Sequence, residues 1–142
     1  MGSARFAVFY LACGLAAAVA QMLSNPASPL PMVGASGAIG GVMGAYVELY
    51  PRVSVHMLFW FGLYVTTFAI TAMWMLGYWF LVQAVGGLMA SGEGGGTAFW
   101  AHVGGFVAGA ALVGVFRVPA LLARHPHVGW AGVSGSAWRR LR

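Results

Sequence analysis

Two side chains in this sequence combine a reactive type with an unusual position: Ser36, in Gly34-Ala35-Ser36-Gly37, and His102, in Trp100-Ala101-His102-Val103-Gly104-Gly105. A serine hydroxyl is a weak nucleophile until a base within hydrogen-bond reach takes its proton. A histidine inside an apolar run is a functional candidate, because hydrocarbon tolerates ionisable groups poorly. The four-residue pattern around Ser36 is weak by itself. A second copy, Gly132-Val133-Ser134-Gly135, lies in an arginine-rich polar stretch and reads as solvated linker. The Gly-x-Ser-x-Gly elbow of soluble hydrolases fails at Ala38.

Position separates Ser36 from Ser134, since an apolar helix is expected to begin at Ser36. A helix N-terminus presents unpaired N–H groups and positive potential, which suit a developing oxyanion, with Gly34 and Gly37 as backbone support. The plain alternative is that Ser36 only caps its helix. For His102 the plain alternative is an interfacial imidazole wetted by headgroups. The chain contains no Asp, and Glu48 and Glu93 are badly placed, so a Ser-His dyad is the nucleophilic constellation available. Small residues offer a way to assemble it. Gly105 and Gly109 on one helix, with Gly37/Gly41 and Gly40/Gly44 on another, form small-xxx-small faces that let two backbones approach closely.

Other candidates carry less. His125 and His127 flank Pro126 without a Cys, Asp or third close His to complete a metal site, and His56 reads as interfacial. Gly94-Gly95-Gly96 has no following Lys-Ser/Thr, so it is not a phosphate cradle. Trp60, Trp74, Trp79 and Trp100 read as bilayer or helix-packing residues. No metal or other cofactor is expected.

The elements that must position Ser36 and His102 follow from composition. Of 142 residues, 61% are hydrophobic and 6% charged, and the mean hydropathy is +0.83. Soluble domains carry about a quarter charged residues, so a water-soluble globule is excluded. The 22 glycines have no Gly-X-Y period, which excludes collagen, and long apolar runs exclude intrinsic disorder. The net charge of +5 comes from seven arginines that must be read against membrane spans, not against nucleic acid. The single cysteine, Cys13, forms no internal disulfide.

Residues 6–23 make a first span of near-minimal length. Pro26, Pro29 and Pro31 then force an extended loop. A helix from Ser36 to the stop at Pro51 has about 14 residues, or roughly 21 Å, too short to cross about 30 Å of hydrocarbon. One of its ends must therefore lie at membrane depth. Residues 70–89 and 97–116 supply two further crossings, and residues 53–69 become a connector or an interfacial, partly re-entrant segment. This arrangement places all seven arginines on one side and the 91–96 loop with Glu93 on the other. The expected architecture is an all-α polytopic bundle with four membrane helices over residues 1–116, followed by a cytoplasmic arginine-rich tail over 117–142.

The run from Gly34 through Ser36, Gly37, Gly40, Gly41 and Gly44 to Tyr46 is followed by Leu49-Tyr50-Pro51-Arg52 and Trp79-Phe80-Leu81-Val82-Gln83. With Trp100-Ala101-His102-Val103-Gly104-Gly105-Phe106 and Gly109, this order resembles the rhomboid intramembrane serine proteases. The opening from Arg5-Phe6 to Gln21 is similar to that family's third span, so the resemblance runs over about residues 2–116. It implies that Ser36 is the nucleophile and His102 the general base, that water reaches a submerged dyad, and that the substrates are transmembrane segments of other proteins. It also implies a multi-pass protein of a bacterial cell membrane with a cytoplasmic C-terminus.

The family core has six spans, so an N-terminal segment with two further spans is expected as a partner. The family's second-span His and Asn, which help hold the oxyanion, have no match here, since Asn25 does not correspond to them. Gly40 stands where the family often has an aromatic ring. The alternative function is a non-catalytic rhomboid-like module or fragment that binds transmembrane helices. A small channel or transporter subunit is disfavoured, because no span carries a ladder of polar residues.

Overall fold

The computed structural model describes residues 1–26, 33–90 and 97–123. Five helices and one hairpin follow in the order α1 (Ser3–Ser24), α2 (Ser36–Leu49), β1 (Ser54–Phe61), β2 (Tyr64–Thr71), α3 (Ala72–Met89), α4 (Phe99–Phe116) and α5 (Pro119–Ala123). Most of the proline loop, the 91–96 loop with Glu93, and the tail from residue 124 with His125, His127 and Ser134 lie outside the described residues.

The mostly helical bundle expected from the sequence is present, with one adjustment to the number of spans. Among the described residues three helices, α1, α3 and α4, are long and apolar enough to cross a membrane. The fourth, α2, has 14 residues and ends just before Pro51, as its short apolar run requires. Proline removes a backbone donor and clashes with the preceding turn, so the helix cannot continue through it.

Small residues hold the bundle together. α2 lies against α4 so closely that a Cβ on Gly105 would collide with the Gly37 carbonyl oxygen, and one on Gly109 with the carbonyl of Gly41. A Cβ on Gly44 would strike the Phe106 carbonyl, and one on Gly40 would meet the His102 carbonyl at 3.1 Å. α1 packs on the same pair through Ala17 and Cys13, which face Gly37 and Gly41, and through Ala20, which faces Gly104. Below these contacts Phe9, Cys13, Ala45 and Val113 form the buried core, with the Phe9 ring edge-on to Phe116 at 5.6 Å. Large apolar side chains such as Leu11, Leu15, Leu88 and Val115 point outward. Close packing of small residues inside and bulky apolar groups outside is the arrangement that lipid, not water, favours.

The segment 53–69, expected as a connector or an interfacial, partly re-entrant segment, belongs to an antiparallel hairpin, with Ser54 opposite Thr71 and Phe61 opposite Tyr64. Two residues, Gly62 and Leu63, make the turn, and Gly62 at φ +60° supplies the positive φ that such tight turns need. β-branched Val65, Thr66, Thr67, Ile70 and Thr71 favour the extended form of the return strand. The base of the hairpin is tied to α3, since Ala72 N–H donates to Val53 O at 2.7 Å and Met73 N–H to Pro51 O at 3.0 Å.

Candidate active site

Ser36 is the first residue of α2, preceded by Gly34 at φ +126°. A side chain at Gly34 would be strained in that conformation, so the glycine lets the chain turn sharply into the helix. Ala35 occupies the N-cap position, and no side chain caps this helix. Ser36 is therefore not a capping residue. Its Oγ lies 2.9 Å from Nε2 of His102, which α4 carries one turn from its own start.

Three contacts fix the two helix starts relative to each other. Gly37 admits the Ala101 carbonyl, which would lie only 3.3 Å from a Cβ at that position. The Ala101 N–H, an orphan donor of the first turn of α4, donates to Oε1 of Gln21 on α1 at 3.1 Å. The Tyr10 hydroxyl makes a longer contact, 3.5 Å, to the Ala35 carbonyl oxygen.

α3 completes the surroundings of His102. Gln83, buried in the bundle, places its Oε1 2.7 Å from His102 Nδ1. One turn earlier, Trp79 lies with its ring centroid 5.7 Å from that of His102 and also packs on Phe106. The indole reaches the space beside Gly40, where a Cβ would come within 3.7 Å of Trp79 Cη2. An aromatic ring thus borders the imidazole although Gly40 has none to offer. Sequence reasoning treated Trp79 as a packing residue and gave Gln83 no role; the available signal was an amide side chain within an otherwise apolar helix.

Ser36 and His102 open onto a cavity of about 410 Å³, also lined by Gly34, Gly37, Thr97 and Ala98. The first-turn amides of α2 have no acceptor within their own helix and form one wall of this space. A hydroxyl in contact with an imidazole, beside a helix N-terminus, is an arrangement for attack on a carbonyl carbon with the resulting oxyanion held by N–H groups. Gly41, Gly44, Gly105 and Gly109 lie deeper along the α2–α4 contact and touch no part of the cavity; they permit the approach that brings Ser36 to His102.

Comparison with known proteins shows the family. The family model described as the Rhomboid domain matches residues 1–119. The chain is 38% identical over 111 residues to Rhomboid protease GluP of Bacillus subtilis (strain 168), which covers 78% of this chain and 19% of that protein. The chain therefore spans about a fifth of that relative's length. No solved structure matches.

Proposed function

The chain belongs to the rhomboid family, and from that premise we propose that it is an intramembrane serine endopeptidase that cleaves transmembrane segments through Ser36 and His102. The observation that carries this reading is the 2.9 Å contact between Ser36 Oγ and His102 Nε2 at the mouth of the cavity.

The steps follow from the chemistry of these two groups. His102 Nε2 takes the hydroxyl proton as Ser36 Oγ attacks the scissile carbonyl, which becomes a tetrahedral oxyanion. The N–H groups at the start of α2, with Gly34 and Gly37 shaping the backbone, stabilise that charge. Collapse of the intermediate breaks the peptide bond, and the imidazolium returns its proton to the leaving amine. Water then enters the cavity and attacks the acyl carbon as it loses a proton to His102; the C–Oγ bond breaks, the acid is released and the imidazolium returns the proton to Ser36 Oγ. A substrate helix must unwind locally to present its carbonyl, because the carbonyls of an intact helix are engaged in its own hydrogen bonds.

The test is cleavage of a transmembrane reporter by the chain together with two upstream spans, supplied in a longer chain or as a co-expressed fragment. Ser36→Ala and His102→Ala should each abolish cleavage while membrane insertion is retained. The double variant should be no worse than either single one, since a nucleophile and its base act as a unit. Binding of the reporter without cleavage by the unaltered protein would instead favour the alternative, a non-catalytic module that holds transmembrane helices.

A further inference from the structure

We infer that Gln83 is a positioning residue that fixes the tautomer of His102, an inference that rests on the reading of His102 as the base for Ser36. Gln83 is only 8% exposed on an apolar helix. An amide buried without a partner costs about 1–3 kcal/mol on mutational scales, so its bond to the imidazole matters to both groups. Its Oε1 can only accept, and at 2.7 Å from Nδ1 it requires that Nδ1 carry the proton of the neutral ring. The lone pair then falls on Nε2, facing Ser36 Oγ at 2.9 Å.

Without that acceptor the opposite tautomer becomes available. Its Nε2–H would donate to Ser36 Oγ, and a ring in that state cannot take the serine proton. Gln83 thus selects the form able to act as a base. When the proton arrives on Nε2, the Nδ1–H···Oε1 bond becomes charge-assisted and strengthens. Trp79, four residues before Gln83 and so on the same face of α3, adds an aromatic ring within reach of the imidazolium at 5.7 Å.

The chemistry also accounts for a neutral residue in this place. A carboxylate buried between apolar helices carries a large desolvation penalty, whereas an amide oxygen orients the ring without introducing charge. α3 therefore supplies by hydrogen bonding what the absence of Asp from the sequence denies the dyad.

The experiment is nitrogen NMR of the chain with two upstream spans supplied, in lipid nanodiscs with 15N-labelled histidine, His102 being assigned by the signal lost in His102→Ala. Fluorophosphonate labelling of Ser36 is measured in parallel. The unaltered chain at neutral pH should show the Nδ1–H tautomer. Gln83→Met, similar in size but without a strong acceptor, should shift the ring toward Nε2–H and slow labelling about tenfold or more, a part of the roughly 10²–10⁴-fold that general-base assistance supplies. Gln83→Glu keeps an oxygen at the same reach and should restore both readouts relative to Gln83→Met.

An Nε2–H tautomer in the unaltered chain would overturn the inference. So would a folded Gln83→Met protein with unchanged tautomer and unchanged labelling, even if that labelling still required His102 and so left the proteolytic reading standing. An Nδ1–H tautomer that depends on Gln83, in a chain that shows no labelling, would support the positioning role while counting against proteolysis.

Discussion

Ser36 and His102 are 66 positions apart in the chain, and each lies in the first turn of its helix. Both were legible as candidates in the sequence, because a serine at the start of a short apolar helix and a histidine near the end of a span are local features. Gln83 was legible only as an amide in an otherwise apolar helix. Its role is created by a contact between α3 and α4, and no spacing within α3 announces that contact. The absence of Asp, with Glu48 and Glu93 badly placed, left the sequence no acidic third partner to offer, but a neutral amide can also accept the Nδ1–H. Gly34 gives a prediction at this scale. Its φ of +126° is strained for any residue with a Cβ, at a cost of about 1–3 kcal/mol. Gly34→Ala should slow fluorophosphonate labelling of Ser36 and lower the thermal transition of the bundle by that strain alone, since an added Cβ would meet no core side chain and its nearest neighbour is Ser36 Oγ at 4.0 Å. Labelling at the unaltered rate would show that the turn does not set the serine's orientation.

At the scale of elements, the glycine faces of α2 and α4 are the main determinant of the site. The sequence revealed which glycines were spaced to form such faces, and the backbone contacts at Gly105, Gly109 and Gly44 follow that spacing. Replacing Gly105 by Ala should cost about 1–3 kcal/mol through overpacking, and by Leu more, because the new side chain meets backbone that cannot rotate away. Gly77 and Gly114, where an added Cβ meets nothing within 4 Å, should accept Ala with little change. Melting in detergent checks the contrast, and equal stability for Gly105→Leu and Gly77→Ala would contradict the packing. The hairpin was the element that sequence reasoning did not foresee. Residues 57–61 are a continuous apolar run, and such a run carries no periodicity that separates strand from helix. The Gly62-Leu63 turn and the β-branched return strand were the signals available.

Across the whole molecule, membrane insertion follows from composition, whereas orientation rests on the arginines. Arg5, Arg52 and Arg117 lie at or beside the ends of α1, α2 and α4, at places that one side of a bilayer can collect when α1 and α4 cross in opposite senses. The excess of positive charge near span ends marks the cytoplasmic side. In a background with Cys13 replaced, a cysteine at Ser54 should react with a membrane-impermeant maleimide only after the cytoplasmic side is opened. A cysteine at Thr97, beside the cavity, should react from outside. The reverse pattern would invert the protein in the membrane and place Ser36 toward the cytoplasm.

The central claim is that Ser36 is a nucleophile activated by His102, and the most direct measurement is to map the fluorophosphonate adduct by mass spectrometry. The protein should be folded in nanodiscs with two upstream spans supplied. The account predicts one adduct, on Ser36 and not on Ser134, that is lost in His102→Ala and declines on acidification as the imidazole takes a proton and can no longer accept the hydroxyl's. An adduct on Ser36 that persists undiminished in His102→Ala, or labelling that spares Ser36 and falls on another serine, would contradict it.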